Sequence, residues 1–549
     1  MVVSRFGAVL ASVLSLALPG QVAAQSAVAA DPDLADRMHG HVAFLADDAL
    51  EGREAGTRGF DLAAVYVASQ FQSIGLRPAG GDGWRQPVRL IERSLVGSPV
   101  VSWTDDRGAP HAWTADEHIL IGASVKPGVV ALDAPLVFAG YGIEAPEYGV
   151  SSYEGIDARG KIVVIMRGGP AAVPSEVAAH LSSSAGQTAQ AHGAIGVIQI
   201  GSRRDMETYP WAMLAGYLSG PQLSAADQDG RPVTRSPEVI VTGLLGHSAA
   251  AVLLSGAPTN LEDLLDAVHE GAALPSFALS GTLSVRSETA FKSTESANIV
   301  GLLPGTDPAL ADEPILVTAH LDHEGISGDE SKEDRIYNGA MDNASGVAAM
   351  IESARILAGA PPRRPVMFVA LTAEEKGLLG AAYMAANPLT PNADIAAVVN
   401  LDMPILTYDF QDLVAFGAEH STLGDLVARA ASAEGLTLTP DPTPEEMLFV
   451  RSDHYEFVKA GVPAVFLATG PGGPGAAASA DFVANHYHQP SDDLSLPIDW
   501  NAAAKFARLN AAIIRSIGDA EQRPLWRENS FFGRLFAPDA AKAPALTAE

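Results

Sequence analysis

The chain has 549 residues, with 65 Asp and Glu against 35 Lys and Arg, a formal net charge of -30 and no cysteine. An acidic surface field repels phosphate backbones and disfavours nucleic-acid binding, and the missing thiols remove disulfides, cysteine nucleophiles, zinc fingers, iron–sulfur clusters and thioether lipidation together. At 47% hydrophobic residues the chain has material for folded cores, about three domains at roughly 100–200 residues each, and any metal it binds must sit on His, Asp and Glu.

Arg5, the apolar run 7–18 and the small residues Val22, Ala23 and Ala24 read as a signal peptide over 1–24, cleaved before Gln25. The run is shorter than the ~20 residues a spanning helix needs. The expected location is therefore the periplasm or the medium, with no stable membrane association after cleavage. Phe60, Ala63, Val67, Phe71 and Ile74 then recur at helical steps and are closed by Gly75, which predicts a helix packed on a larger core.

From about 131 to 287 the texture is β-rich. Short apolar runs at 136–138, 161–166, 196–200 and 283–285 are separated by turn residues such as Tyr141-Gly142 and Ala158-Arg159-Gly160, with one helix ending near His192-Gly193. Beyond 288 strands and helices alternate: 315–319 then 347–358, 366–371 then 377–385, 395–401, and 462–468. That order predicts a doubly wound α/β sheet flanked by helices. The Gly-, Pro- and Ala-rich stretch 470–480 reads as a mobile loop, and 537–549 as a frayed tail.

Function in such a sheet gathers at the carboxyl ends of the strands. His320-Leu321-Asp322 follows the first run, Glu374-Glu375 the second and Asp402 the third, while Asp342-Asn343-Ala344-Ser345-Gly346 precedes a helix. Taken singly, Asp342 reads as a helix N-cap, Glu374-Glu375 as a solvated helix start and His320 as a structural histidine. Asp402 is harder to dismiss, because a carboxylate closing a buried strand needs a partner. Convergence changes the reading: His and carboxylate are the ligands zinc takes when thiolate is absent. His486 and His488 compete for one further place, and spacing alone does not choose between them.

These blocks, with Glu374-Glu375-Lys376-Gly377, Asn400-Leu401-Asp402-Met403, Arg451-Ser452-Asp453-His454 and Tyr487-His488-Gln489-Pro490-Ser491-Asp492, stand in the order seen in metallopeptidase family 28. The chain resembles that family over about 31–517. The resemblance implies an α/β fold, a doubly wound mixed sheet of the zinc-dependent exopeptidase (phosphorylase/hydrolase-like) type with an inserted β-rich protease-associated (PA) domain. On that basis 25–130 is the N-terminal part of the peptidase domain, 131–287 the insertion, 288–525 the catalytic di-zinc domain and 526–549 a C-terminal tail.

The resemblance also implies two Zn2+ ions, one held by His320 and Asp402, the other by Glu375 and His488, with Asp342 between them. Glu374 is then the general base, Asp322 fixes the ligating tautomer of His320, and Tyr487 donates to the oxyanion. His488 is preferred over His486, and His323 and His454 fall to structural or supporting roles. Met341 departs from many relatives with the insertion, which carry a second acid there. The acidic interval 323–338 is expected to be a solvated loop without a ligand, and Arg451 is either a substrate contact or half of a surface ion pair.

The implied function is an exported di-zinc exopeptidase acting on peptides, foremost an aminopeptidase. A carboxypeptidase for acidic dipeptides would need a basic cluster that the motifs do not show. Glutaminyl cyclases use one zinc and fewer ligands, and receptor-like relatives lose ligands that are all present here.

Overall fold

The computed structural model describes residues 31–115 and 117–546, and the expected signal peptide at 1–24 lies outside them. Four strands form the parallel centre of a mixed sheet: Val366–Leu371, Ile315–His320, Ala397–Leu401 and Ala464–Thr469, in that spatial order. They are buried almost along their whole length, which is why they read as unbroken apolar runs rather than alternating ones. Antiparallel strands flank them. Ile299 to Leu303, the end of the long strand Ser276–Leu303, pair with Val366–Leu371 on one side, and Asp412–Phe416 pairs with Ala464–Thr469 on the other. The sheet is thus of the expected doubly wound mixed α/β class.

Alternate side chains of each strand serve two cores. Ile315, Val317 and Ala319 meet one set of helices, Leu34–Leu45, Arg58–Ile74, Gly346–Gly359 and Trp500–Gly518. Leu316 and Val398 face the other side, against Met384, Phe457 and Trp526. The helix predicted from Phe60 to Ile74 runs Arg58–Ile74; the Thr57 hydroxyl accepts from Phe60 N–H, and Gly75 ends it at φ 93°. Among the described residues no helix is long and apolar enough to cross a membrane.

A further apolar core, apart from these two, runs from Val101 to Val285. It begins upstream of the boundary expected at 131, because Val100–Thr104 and Ile119–Ile121 pair into it. Nor is this region simply β-rich. Parallel strands Ile162–Met166, Gly196–Ile200 and Val241–Leu245 alternate with helices that include Ser175–Ser183, Ala185–Ala191 and Leu261–His269. The helix expected to end near His192 is Ala185–Ala191, whereas Ser175–Ser183, short and rich in Ala and Ser, leaves little apolar periodicity in sequence. The long strand Ser276–Leu303 joins this region to the main sheet, pairing first with Gly128–Ala139 and then with Arg85–Leu95.

Two further expectations fail. Only 470–474 of the expected loop form a turn: a helix spans Gly475–Asn485, helped by its alanines and anchored where Asp412 accepts from the Gly472 amide at 2.9 Å and Tyr408 Oη donates to Gly470 O at 2.6 Å. The described part of the expected frayed tail, 537–546, is held in place as well. Trp526 and Phe532 are buried, Trp526 Nε1 donates to Gly461 O at 2.8 Å, and Trp526–Arg527 pairs with Lys542–Ala543. Large aromatic rings supply more burial than the polar residues around them suggest.

Candidate metal centre

Strand register builds the centre. Thr318 stands opposite Asn400, so two residues further His320 and Asp402 leave adjacent parallel strands at the same level. Nε2 of His320 lies 3.0 Å from Asp402 Oδ1 and 3.1 Å from Asp342 Oδ1. A polar chain fixes the Asp402 carboxylate: Thr318 Oγ1 donates to Asn400 Oδ1 at 2.6 Å, Asn400 Nδ2 to Ser452 Oγ at 2.7 Å, and Ser452 Oγ to Asp402 Oδ2 at 2.5 Å.

Asp342 is not a helix cap. The regular helix starts at Gly346, and Asp342 sits before it with non-helical φ -106° and ψ 91°. Its carboxylate spans the site, with Oδ1 toward His320 and Oδ2 3.4 Å from His488 Nε2. Asp492 holds this loop, accepting from the Met341 amide at 2.8 Å and the Asp342 amide at 2.9 Å. Glu375 completes the group, its Oε2 3.1 Å from His488 Nε2. All five sequence-predicted metal ligands therefore meet, whereas His486 turns away to Ser491 at 2.9 Å.

Electrostatics describe the same object. Burial disfavours a charged His488, yet hydrogen bonds to Asp342 and Glu375 push it up to about 11. For His320 burial is again outweighed, by Asp402, Glu374 and Asp342, and the imidazole is held well above its usual range. Asp342 stays well below the carboxylate range because bonds from His320 and His488 overcome its burial. The pocket therefore concentrates negative potential and favours a bound cation. Its donor set fits zinc. Neighbouring ligand atoms 3.0–3.4 Å apart match the ~3.3 Å that separates two ligands placed ~2.0 Å from one tetrahedral ion.

Glu374 lies beside the ligands, half-buried, and is held well above the usual carboxyl range by burial and by Glu375, Asp402 and Asp453, against the opposing field of His320. Tyr487 packs its ring on His488 with centroids 3.9 Å apart, and burial with the fields of Asp342 and Glu375 keeps its phenol protonated. Asp322 requires a correction. The partner of His320 Nδ1 is the backbone carbonyl of Asp322 at 3.1 Å, not its carboxylate, which accepts from the Glu374 amide at 3.1 Å. The carbonyl sets the His320 tautomer, and the carboxylate places Glu374.

Two residues, Arg53 and Asp492, escaped the sequence reading, and His323 has the supporting place expected of it although its interval does not. His323, in an interval expected to be a solvated loop, is fully buried with Nδ1 2.6 Å from Glu375 Oε1. Arg53 is buried and donates to the carbonyls of Leu321 at 2.9 Å, Asn338 at 2.5 Å, Gly339 at 3.1 Å and Leu45. It ties the loop of His320 to the loop of Asp342. Asp492 lay inside a quoted motif without a role. Nothing in the turn Leu50-Glu51-Gly52-Arg53 marks its arginine as internal except Gly52, where a Cβ would stand 2.4 Å from Gly325 O. Arg451 resolves to the ion-pair reading: it is exposed, 3.6 Å from the Glu446 carboxylate. His454 is a core residue between Phe449 and Phe466, pushed down to about 3 by burial.

Comparison with known proteins bears on this geometry. Residues 298–514 match the model of peptidase family M28. The chain carries an M28 peptidase domain. Its 298–514 stretch contains every residue of the cluster, from His320 to Asp492. Aminopeptidase YwaD of Bacillus subtilis (strain 168) is 36% identical over 96 residues, 17% of this chain and 18% of that protein. A "Probable zinc metalloprotease" of Pyrenophora tritici-repentis (strain Pt-1C-BFP) is 37% identical over 105 residues, 19% of this chain and 23% of its own. The chain thus spans under a quarter of the length of these curated relatives. Among solved structures, the aminopeptidase from Aneurinibacillus sp. strain AM-1 superposes with a TM-score of 0.51 at 19% identity, over 89% of this chain and 95% of that one. That likeness shows a shared fold, M28 domain and remainder together.

Proposed function

We propose that this protein is an exported zinc aminopeptidase with two metal ions, releasing N-terminal residues from peptides. The observation that carries the reading is the Asp342 carboxylate, whose two oxygens face two different histidines. His320 and Asp402 would hold one zinc, Glu375 and His488 the other, and Asp342 would serve both. Bound zinc supplies Lewis acidity to the scissile carbonyl and a water of lowered pKa.

The chain's own groups do the remainder. Glu374, adjacent to a ligand and placed by the Asp322 carboxylate, takes a proton from the attacking water and returns it to the departing amine. Tyr487 stays protonated and donates to the carbonyl oxygen as charge develops there, a contact typically worth a few kcal/mol. The acidic surroundings suit a substrate that presents an amine. A carboxypeptidase would need free cations, but Lys376 is paired with Glu324 at 2.8 Å and Arg451 with Glu446. Metal analysis of the dialysed protein tests the site: two equivalents of zinc per chain are expected, and one or none contradicts the shared role of Asp342.

A further inference from the structure

His323 lies within the cluster but outside its ligand set. The imidazole is completely buried, and its Nδ1 stands 2.6 Å from Glu375 Oε1 while Glu375 Oε2 faces His488 Nε2 at 3.1 Å. The ring has no freedom to swing. Gly339, at φ 59°, lies so close that a Cβ there would stand 2.7 Å from both Cγ and Cδ2 of the imidazole, and His488 meets the ring edge-on at 5.8 Å between centroids. Nε2 is buried without a partner among the described residues.

That arrangement selects a tautomer. A carboxylate oxygen at 2.6 Å requires the proton on Nδ1, which leaves Nε2 as a lone acceptor. We propose that His323 is a positioning residue that reserves Oε1 of Glu375 as its hydrogen-bond acceptor, so that Oε2 alone is offered to a metal beside His488. A carboxylate limited to one oxygen suits the four-coordinate preference of zinc, and a carboxylate free to bind through both suits larger ions such as calcium. The inference rests on the two-zinc reading and adds to it what fixes the mode of binding at Glu375.

The test compares the affinities of the two zinc equivalents in the wild-type chain, His323→Ala and His323→Asn by competition with a chromophoric chelator. The asparagine amide keeps an N–H donor near the place of Nδ1–H. His323→Ala is expected to weaken one equivalent by ~10–100-fold, with His323→Asn within a few-fold of wild type. With Co2+ as the probe, His323→Ala should show the weaker visible absorption of a raised coordination number, and His323→Asn should keep the wild-type spectrum. Should His323→Ala not fold, His323→Leu fills the volume without a donor and takes its place. Wild-type affinity in the donorless variant, or equal losses in both variants, would overturn the inference while leaving the zinc site intact. A wild-type chain that binds no zinc overturns the site reading itself.

Discussion

Nε2 of His320 and Oδ1 of Asp402 stand 3.0 Å apart although 82 residues separate them. Two parallel strands in register bring them together, so this pair depends on the sheet and not on a flexible loop. Asp402→Ala is expected to remove one zinc equivalent and nearly all activity. Ser452→Ala, which leaves Asp402 in place but takes away its 2.5 Å donor, should cost ~10–100-fold in affinity for that ion. Titration with zinc checks both, and unaltered stoichiometry in Asp402→Ala would contradict the assignment.

As the proposed general base, Glu374 would move a proton and would not be a metal ligand. Glu374→Ala should bind two zinc equivalents as the wild type does while kcat falls by roughly 100- to 10,000-fold. Metal content and steady-state kinetics measured on one preparation separate the two effects. Loss of zinc from this variant would make Glu374 a ligand.

Among the described residues Arg53 has no carboxylate partner, and it donates to carbonyls of two loops that carry the site. Arg53→Met keeps much of the volume and strands those acceptors in the interior. We expect a loss of about 3 kcal/mol or more of unfolding free energy, read from the urea midpoint. A midpoint matching wild type would mean that water reaches the carbonyls.

The completely buried carboxylate of Glu352 gives a pH signature away from the site. Burial alone raises its pKa, but bonds from His41 at 3.0 Å, Arg355 at 2.9 Å and Arg37 at 2.8 Å outweigh that and hold it at about 2, against 4.5 ordinarily. A depressed carboxyl stabilises the fold above its unfolded value, and the contribution disappears as pH falls from 4.5 to about 2. The difference corresponds to about 3 kcal/mol. Thermal unfolding of metal-free wild type and Glu352→Gln should show a stability gap at pH 6 that narrows steadily below pH 4.5. A gap independent of pH would contradict this.

Much of the sheet was legible because its central strands are continuous apolar runs, two of them closed by His320 and Asp402, whereas Asp342, Glu375 and His488 were named together by the family resemblance. The supporting role of His323 was legible but its depth was not: the acidic residues that follow it, such as Asp329, are exposed, and their composition gave the whole interval the look of a solvated loop. Asp322 showed that a motif names a residue but not which of its atoms makes the contact. The helix Gly475–Asn485 was obscured because the glycines and the prolines Pro471 and Pro474 in the preceding turn resemble the composition of a loop. The packing of Trp526 depends on Gly461 and on a strand near the chain's end, contacts that no local pattern encodes.

The central claim, a zinc-dependent attack on peptides from the amino end, is tested most directly with one leucyl peptide offered free and N-acetylated, each with and without a chelator. The account predicts release of leucine from the free peptide alone, abolished by the chelator and restored by zinc. Cleavage of the acetylated peptide from its other end, or cleavage that ignores the chelator, would contradict it.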